Sequence, residues 1–254
     1  MEETKQDIQT NSEKSVHSGD RRDTDYFELR GLDEHYYSKY KLPKYIFNNL
    51  PEDKNAKILD LGCGLGQTLN EIKKLGYSNV SGIDISDESV KALTNLKIRI
   101  TKVEDIIDFA KRSNEKYDLL IMSHVLEHIE KNKMIETLSA IRENLMNESS
   151  KFMVMVPNAQ SFTGAYWRYE DFTHSWLFTS GSLNYVLKSA GFKSIEFVDP
   201  LGLWEVPSSK RWAVKLFMGY YKWKVKFWNK MTQSNFHRES PQIFTFELKA
   251  LVRK

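Results

Sequence analysis

The sequence predicts an α/β fold in which a parallel sheet carries helices on both faces. From Asn55 onward, short apolar runs alternate with longer segments that have helical spacing, and this alternation is typical of parallel strands joined by crossover helices. A glycine-rich turn at 62–66 separates the first apolar run from the first helical segment. With 254 residues, the chain is long enough to bury the core of such a domain without disulfides.

The first half of the domain is predicted from residue 57. Residues 57–61 (KILDL) form a buried strand, and a helix over 66–75 ends at Gly76. Strands at 80–83 and 98–103 follow, with a helix between them that is capped by Asp87 and runs to Leu96. Asp105 opens a short helix to Lys111.

The second half continues this rhythm. Strands are predicted at 118–122 and 152–156, with a helix over 125–145 between them, and Pro157 ends the fifth strand. A helix over 183–190 ends at Gly191, and the last two strands are 193–198 and 243–252. An insertion at 205–239 separates them, and a helix over 208–231 is predicted inside it.

The N-terminal region divides into two parts. Residues 1–25 are polar and poor in apolar side chains, which predicts a disordered tail and no secretory signal. Residues 26–50 are rich in aromatic residues and predict one or two helices that cap the domain. The remainder, 26–254, is predicted to be one domain.

Composition excludes several classes of protein. Lys and Arg number 37 against 34 Asp and Glu, so the formal charge of +3 does not indicate a DNA-binding protein. No stretch approaches 18 consecutive apolar residues, so a membrane-spanning helix is not predicted. The single cysteine, Cys63, excludes intrachain disulfides and is expected to fill space rather than act as a nucleophile. A cytoplasmic location is therefore predicted.

The glycine-rich turn carries the sharpest signal for a ligand. Its three glycines, Gly62, Gly64 and Gly66, allow close backbone approach at a helix N-terminus, directly after Asp60. A dinucleotide-binding G-x-G-x-x-G turn fits less well, because Gln67 stands where its third glycine would lie.

Acidic residues follow the next two strands. A carboxylate in the position of Asp84 can accept both ribose hydroxyls, and Asp105 is placed to reach an adenine amino group. The alternative for each aspartate is a helix N-cap.

These motifs resemble those of class I S-adenosylmethionine (SAM)-dependent methyltransferases. Asp60-x-Gly62-x-Gly64-x-Gly66 is similar to their motif I, and the segment 117–129 (YDLLIMSHVLEHI) is similar to their fourth-strand motif. The later pattern VPN…DFTH…FT…AGF resembles the second half of the same domain.

The resemblance implies a fold, a cofactor and a set of contacts. The sheet would have seven strands in the order 3-2-1-4-5-7-6, with strand 7 antiparallel. SAM would be the cofactor and S-adenosylhomocysteine the product. The residues implied to contact the cofactor are Asp60, Gly62, Gly64, Gly66, Asp84, Ile85, Asp105, Ile106 and Ser123.

Candidate residues for acceptor chemistry follow strands four and five. His124, Glu127 and His128 have spacing i, i+3 and i+4, which predicts one face of a helix, and His174 follows the fifth strand at the same sheet edge. His174, His128 and His124 are the candidate catalytic residues, with His174 the predicted general base; scaffolding is the alternative for each.

A divalent metal is an alternative for the same residues. Small-RNA 2′-O-methyltransferases, a related family, use two Glu and two His in a comparable layout, but His124 stands where that family has Glu. A metal-free site is predicted, with His124, Glu127, His128 and His174 as the alternative ligand set.

The acceptor is predicted to be small and polar. Aromatic residues and one arginine follow the Val-Pro-Asn turn and suit a flat base, a sugar ring or a phosphate: Phe162, Tyr166, Trp167, Arg168 and Tyr169. The resemblance favours O-methylation of a sugar or nucleotide-sugar in a bacterial surface-glycan pathway. The alternatives are an RNA- or lipid/quinone-directed methyltransferase, and a non-catalytic subunit that binds the cofactor.

The insertion has an unusual composition. Between Glu205 and Glu239 it has eight basic residues and no acidic one, so the rest of the chain is net negative, at −5. One face of its predicted helix is apolar: Ala213, Leu216, Tyr220, Trp223 and Phe227. Three roles are open: a lid over the acceptor, a homodimer interface, and contact with an anionic membrane or lipid-linked substrate at the inner face.

Overall fold

The computed structural model describes residues 26–32, 37, 39–237 and 240–254. The tail predicted at 1–25 lies outside the described residues, as do Arg238 and Glu239 in the insertion.

A seven-stranded sheet forms the centre of the molecule, in the order β3-β2-β1-β4-β5-β7-β6. Strands β1 to β5 pair in parallel, and β7 runs antiparallel between β5 and β6. The predicted topology is confirmed. The strands are β1 Ile58–Leu61, β2 Val80–Asp84, β3 Arg99–Lys102, β4 Tyr117–Ser123, β5 Met146–Pro157, β6 Ser194–Phe197 and β7 Glu247–Arg253.

Nine α-helices in the described part of the chain accompany the sheet. Two short ones precede it: α1 Tyr26–Leu29 and α2 Lys44–Phe47. The others are α3 Gln67–Lys74, α4 Asp87–Asn95, α5 Ile106–Arg112, α6 Met134–Ala140, α7 Gly164–Glu170, α8 Ser180–Ser189 and α9 Arg211–Met231. Helix α7 occupies the segment after β5 for which no helix is predicted.

Two hydrophobic clusters cover the two faces of the sheet. Successive side chains of a strand point to opposite faces, so Leu59 and Leu61 join one cluster while Ile58 joins the other. Tyr45 and Ile46 of α2 are buried in the second cluster. Helix α2 therefore packs on the same face as Ile58.

The prediction of one long helix over 125–145 is wrong at the start of that helix. The structure has a 3₁₀ turn at Leu126–His128, and α6 begins only at Met134 and continues as a π turn to Leu145. The cause is Ser175, whose N–H donates to the Glu127 carbonyl at 2.8 Å and whose hydroxyl lies 3.0 Å from the same carbonyl. Its hydroxyl also lies 2.5 Å from the carbonyl of Ile129, which is extended. Carbonyls that a helix would use are therefore bonded to a loop.

The N-cap of α4 also differs from the prediction. Ser86 caps this helix, because its hydroxyl accepts from the N–H groups of Glu88 and Ser89. Asp87 is the first residue of the helix, where its charge favours the helix dipole.

The insertion forms a long helix, as predicted. A 3₁₀ turn at Ser208–Lys210 leads into α9, a helix of 21 residues. No side chain of α9 is fully buried. Across the described residues, no helix combines the length and the apolar character needed to cross a bilayer.

Replacing Gly66 with alanine should destabilise the fold by about 2–4 kcal/mol, because strain and overlap add. Gly66 has a φ of 80°, and a Cβ there would lie 2.6 Å from Cδ1 of Leu93. Gly76 is a matched control with a φ of 92° and no neighbouring atom within 4 Å, so Gly76→Ala should cost only about 1–2 kcal/mol. Urea unfolding measures both values; equal losses would refute the packing explanation.

Candidate active site

The glycine-rich turn is a compact cradle at the C-terminal edge of β1. The N–H groups of Gly62 and Cys63 both donate to the Ile83 carbonyl, at 2.8 and 3.0 Å. A Cβ on Gly62, which has a φ of 75°, would lie 2.4 Å from Val125. Helix α3 then begins with N–H groups that lack intrahelical partners, as every helix does. The turn thus offers a polar backbone surface and helix-dipole charge to a ligand.

Cys63 fills space within this turn, as expected. Its side chain is buried, and a Cβ on Gly82 would lie 2.5 Å from its sulfur. Burial raises the pKa of the Cys63 thiol far above its usual value, which removes the thiolate that a nucleophile requires.

Asp84 is fixed at the end of β2 by two backbone groups. Its Oδ2 accepts from the N–H of Gly64 at 2.8 Å, and its Oδ1 accepts from the N–H of Ser86 at 2.9 Å. A carboxylate has about four lone-pair sites, so both oxygens retain acceptor capacity. The arrangement suits a bidentate contact with two adjacent ribose hydroxyls.

Asp60 is a buried carboxylate whose Oδ1 has no hydrogen-bond partner among the described residues. Desolvation, and then the charge of Asp84, raise its pKa well above the usual value. The Oε1 of Gln67, at the start of α3, is likewise buried and unpartnered. A cationic ligand with N–H donors, such as the ammonium group of SAM, would satisfy these acceptors.

The remaining predicted cofactor residues lie along the same sheet edge. Asp105 is the N-cap of α5 and accepts from the N–H of Ile107 at 2.5 Å, so its alternative role as a cap is present. Ile85 is exposed beside Asp84, Ile106 packs against the core as the first residue of α5, and Ser123 ends β4.

We expect Asp60→Asn to stabilise the ligand-free protein while it weakens SAM binding. Removing an unpaired buried charge should contribute about 1 kcal/mol, which raises the Tm of a chain this long by about 2–4 °C. Because the pKa of Asp60 is raised in the folded state, the gain should be present at neutral pH and disappear as the carboxyl protonates in acid.

Thermal melts from acid to neutral pH, together with calorimetric titration, measure both effects. Asp118→Asn is the control, because the Asp118 carboxylate already accepts from the N–H of Lys57. A destabilised Asp60→Asn protein would show that the carboxylate has a partner the structure lacks.

A chain of hydrogen bonds orients His128. The Thr173 hydroxyl donates to Oδ1 of Asp171 at 2.6 Å and lies 2.8 Å from Nδ1 of His128. Since its one proton is given to Asp171, Thr173 must accept from His128. Nδ1 therefore carries the proton in neutral His128, and Nε2 has a free lone pair.

Asp171 connects this chain to the N-terminal helix. Its Oδ2 accepts from the Tyr26 hydroxyl at 2.8 Å and pairs with Arg30 at 2.7 Å. Burial alone would raise the pKa of Asp171, but bonds from Thr173 and Tyr26 lower it to about 2. Asp171 is thus a permanent anion.

His174, the predicted general base, is almost completely buried. Its side chain is only 6% exposed, and its Nδ1 lies 2.7 Å from the carbonyl of Trp167, to which it donates. Its Nε2 lies 4.0 Å from Oε1 of Glu127 and 3.8 Å from Oδ2 of Asp171. The His128 and His174 rings are 4.7 Å apart edge to face. The His174 ring therefore packs against the His128 ring and restricts its orientation.

His124 does not lie on a helix with Glu127 and His128, which corrects the prediction. It has a φ of 55° and precedes the 3₁₀ turn. Its Nδ1 lies 3.3 Å from Oε1 of Glu127 and its Nε2 3.0 Å from Oε1 of Glu247.

The two carboxylates determine the charge of His124. Desolvation favours the neutral ring, but Glu127 and Glu247 outweigh it and raise the pKa of His124 to about 10. An imidazolium at neutral pH cannot accept a proton, so the geometry argues against His124 as the base.

Sequence reasoning missed the charged residues of β7. Glu247 and Lys249 are both buried, and Lys249 lies 3.3 Å from Asp199 and 4.5 Å from the centre of the Tyr45 ring. Two charges at i and i+2 within an otherwise apolar strand lie on one face, and that spacing was the available signal. Glu247 forms an ion pair with His124. Nζ of Lys249 lies 3.9 Å from Oε2 of Glu247 and offsets its negative charge.

The geometry of a metal site is only partly present. One ligand atom each from Glu127, His128 and His174 lies within 4.8 Å of the others. Ligand atoms at bond lengths of about 2.1 Å stand roughly 3–3.4 Å apart around an ion, whereas Glu127 and His174 are 4.0 Å apart. His124, the fourth ligand of the alternative set, is bound to Glu247. A metal-free site remains the prediction.

The predicted acceptor loop forms α7 and its flanks. The rings of Phe162, Tyr166 and Tyr169 are exposed. Arg168, by contrast, donates to the carbonyl of His174 at 2.5 Å, and the Trp167 ring packs edge to face against Tyr166. The loop therefore offers aromatic surfaces, while its arginine is an internal anchor.

Together, the sheet order and the acid–glycine turn followed by Asp84 define the class I SAM-dependent methyltransferases. Residues 33–196 match the family described as a methyltransferase domain. The chain belongs to this family and carries a SAM-dependent methyltransferase domain.

Curated relatives share part of this domain. A ribosomal protein L11 methyltransferase of Lactobacillus johnsonii is 33% identical over 104 residues, which are 39% of this chain and 31% of the relative. An ajmaline N-methyltransferase of Rauvolfia serpentina is 32% identical over 100 residues, 36% of this chain and 34% of the relative. The matches span about a third of the length of these relatives.

Solved structures share the whole fold at low identity. A SAM-dependent methyltransferase from Archaeoglobus fulgidus has a TM-score of 0.60 at 20% identity, covering 90% of this chain and 98% of that one. A Haloferax volcanii methyltransferase in complex with the activator Trm112 has a TM-score of 0.62 at 14% identity, covering 90% and 96%.

Proposed function

We propose that this methyltransferase transfers a methyl group to a hydroxyl oxygen of a sugar or nucleotide-sugar, with His128 as the general base. The observation that carries the proposal is the chain Asp171–Thr173–His128, with its bonds of 2.6 and 2.8 Å. A hydroxyl must lose its proton as it is methylated, and the free Nε2 of His128 is the acceptor for that proton.

The charge state of His128 supports this role. Desolvation, and further the neighbouring His174 and His124, lower the pKa of His128 below its usual value. The ring is therefore neutral at physiological pH and ready to accept a proton. His174, packed against it, keeps its orientation.

The reaction uses the chain as follows. Bound SAM supplies an electrophilic methyl group on a sulfonium. Nε2 of His128 would take the proton of the acceptor hydroxyl as the new C–O bond forms and the S–CH₃ bond breaks, which would leave S-adenosylhomocysteine and the methylated acceptor as products. The buried carboxylate of Glu127, which has an oxygen within 4.8 Å of a ring nitrogen of His128, stabilises the resulting imidazolium.

The rest of the cofactor site follows the sequence prediction. We assign the ribose hydroxyls to Asp84, the cationic methionine end to Asp60 and the glycine turn, and the adenine to Ile85, Asp105, Ile106 and Ser123. Ile85 supports this assignment, because it is an exposed apolar side chain at the edge of β2.

A sugar-containing acceptor is favoured by the exposed rings of the segment whose Trp167 and Arg168 bond to His174. Phe162 and Tyr169 are each 81% exposed, and aromatic faces stack on sugar rings and bases. The similarity of the acceptor motifs to surface-glycan methyltransferases supports the same substrate class, in the cytoplasm.

The test is an acceptor screen with methyl-labelled SAM. Nucleotide-linked sugars should become labelled, and the label should be retained when metal ions are removed by a chelator. Lysine-rich peptides, RNA and quinones are the competing acceptors. Label in one of these alone, or SAM left unconsumed with every acceptor, would overturn the proposal; activity that chelation abolishes would show the metal site.

A further inference from the structure

We propose that α9 is an in-plane membrane helix that holds the protein on an anionic lipid surface. Helix α9 is 21 residues long, about 31 Å at 1.5 Å per residue. Its side chains divide into two apolar stripes and a basic flank, and each of these has a distinct surrounding in the structure.

The first stripe attaches α9 to the protein. Its members are only partly exposed and recur every three or four residues: Val214, Met218, Tyr221 and Val225. The Tyr221 ring packs against Phe244 at 5.4 Å and Phe162 at 6.0 Å, and its hydroxyl donates to the Gln160 carbonyl at 3.3 Å. The first stripe is therefore the side of α9 that faces the rest of the protein.

The second stripe points the opposite way. At about 100° per residue, it is centred roughly half a turn from the first. All of its members are exposed: Trp212, Leu216, Tyr220, Trp223, Phe227 and Met231. The rings of Tyr220 and Trp223 stack at 6.0 Å, and those of Trp223 and Phe227 at 5.7 Å. The result is a continuous aromatic surface directed away from the protein.

Such a surface needs a partner. Monomeric proteins rarely expose a contiguous apolar patch of this kind, and Trp223 remains 59% exposed and Trp212 68% exposed. Tryptophan and tyrosine are the residues enriched at the membrane–water boundary.

The positive charge of α9 indicates that its partner is anionic. Lys215, Lys222 and Lys226 line the flank between the two stripes, and none of the three forms a salt bridge among the described residues. From Val206 to Arg238 there is no acidic residue. An antiparallel pairing of two copies through this stripe would bring these lysines to the same side of the helix pair, whereas an anionic bilayer neutralises them.

The same contact would bring the acceptor side close to the bilayer. Tyr221 joins α9 to Gln160 and Phe162, which follow β5 at the edge of the sheet that carries His128. The inference does not depend on the identity of the acceptor, because it concerns lipid binding alone.

Vesicle sedimentation of the full chain tests the proposal. The wild-type protein should bind vesicles of equal parts phosphatidylglycerol and phosphatidylcholine, bind less as salt rises, and ignore pure phosphatidylcholine. The Lys215→Gln, Lys222→Gln, Lys226→Gln triple variant should bind roughly 100-fold more weakly, from about a fivefold loss per lysine. The Trp212→Ser, Trp223→Ser, Phe227→Ser triple variant should lose binding even at low salt.

Controls separate this result from charge loss or unfolding. Lys91→Gln, Lys188→Gln, Lys193→Gln removes as much charge from exposed positions elsewhere and should bind like the wild type. Each variant is checked for retained SAM binding. A wild-type protein that ignores anionic vesicles would overturn the proposal. So would a dimer in light scattering that the aromatic variant converts to a monomer, since the stripe would then bind a second copy.

Discussion

The Asp84→Ala variant should bind SAM at least about 100-fold more weakly than the wild-type protein. Each hydrogen bond to a charged group contributes about 1.5–3 kcal/mol, and Asp84 is placed to accept two from the ribose. The substitution also removes the acceptor of the Gly64 N–H, bonded at 2.8 Å, so the glycine turn loses an anchor. Calorimetric titration with SAM measures the effect.

The matched control for this prediction is Asp87→Ala. Asp87 lies three residues further along, and its exposed carboxylate pairs with Lys102 at the surface. Exposed pairs contribute little, so the affinity for SAM should stay within about twofold of the wild type. Equal affinities for SAM in Asp84→Ala and the wild type would rule out Asp84 as the ribose ligand.

The His128→Ala variant should lose about 10²–10⁴-fold in kcat, the usual contribution of a general base, with no change in SAM affinity. Wild-type kcat should rise with pH as His128 deprotonates and then level off. Because desolvation lowers its pKa below the usual 6.5, the rise should lie on the acid side of that value. The variant should have no such inflection. Turnover of the acceptor identified in the screen provides the measurement.

Two further variants test the orientation of this base. Thr173→Val cuts the link between Asp171 and Nδ1 of His128, so it should lower kcat and move the pH inflection, while Thr173→Ser should restore both. His237→Ala removes an exposed histidine of the insertion and should leave kcat unchanged. An unaltered pH profile in His128→Ala would assign the proton transfer to another group.

Periodicity alone was sufficient to place the strands and most helices. Apolar runs marked each strand to within a few residues, except that β5 begins at Met146 and β7 only at Glu247. The strand order followed from the resemblance rather than from spacing. The helix predicted at 125 failed because its carbonyls are used by Ser175, a residue about 50 positions away that local patterns cannot include.

The candidate site was predicted in composition but not in arrangement. His124, Glu127, His128 and His174 do meet at one edge, yet which of them is free depends on third partners. Thr173 accepts a hydrogen bond from His128, and the Trp167 carbonyl accepts one from His174. Glu247 bonds to His124 and favours its protonated form. These contacts arise from loops and from a strand more than 100 positions away from His124, so spacing in the sequence could not rank the three histidines.

Asp171 joins two regions of the protein that are far apart in sequence. Helix α1 lies against the glycine turn, where the Phe27 ring would be 3.4 Å from a Cβ on Gly64. Tyr26 of α1, and Arg30 just after it, bond to Asp171. The same carboxylate orients Thr173 and hence His128. The segment 26–30 therefore contacts both the glycine turn and the carboxylate that orients the proposed base, so we expect its loss to weaken cofactor binding and to disturb the base together. A protein shortened to begin after residue 32 would still contain every reacting group and yet turn over slowly.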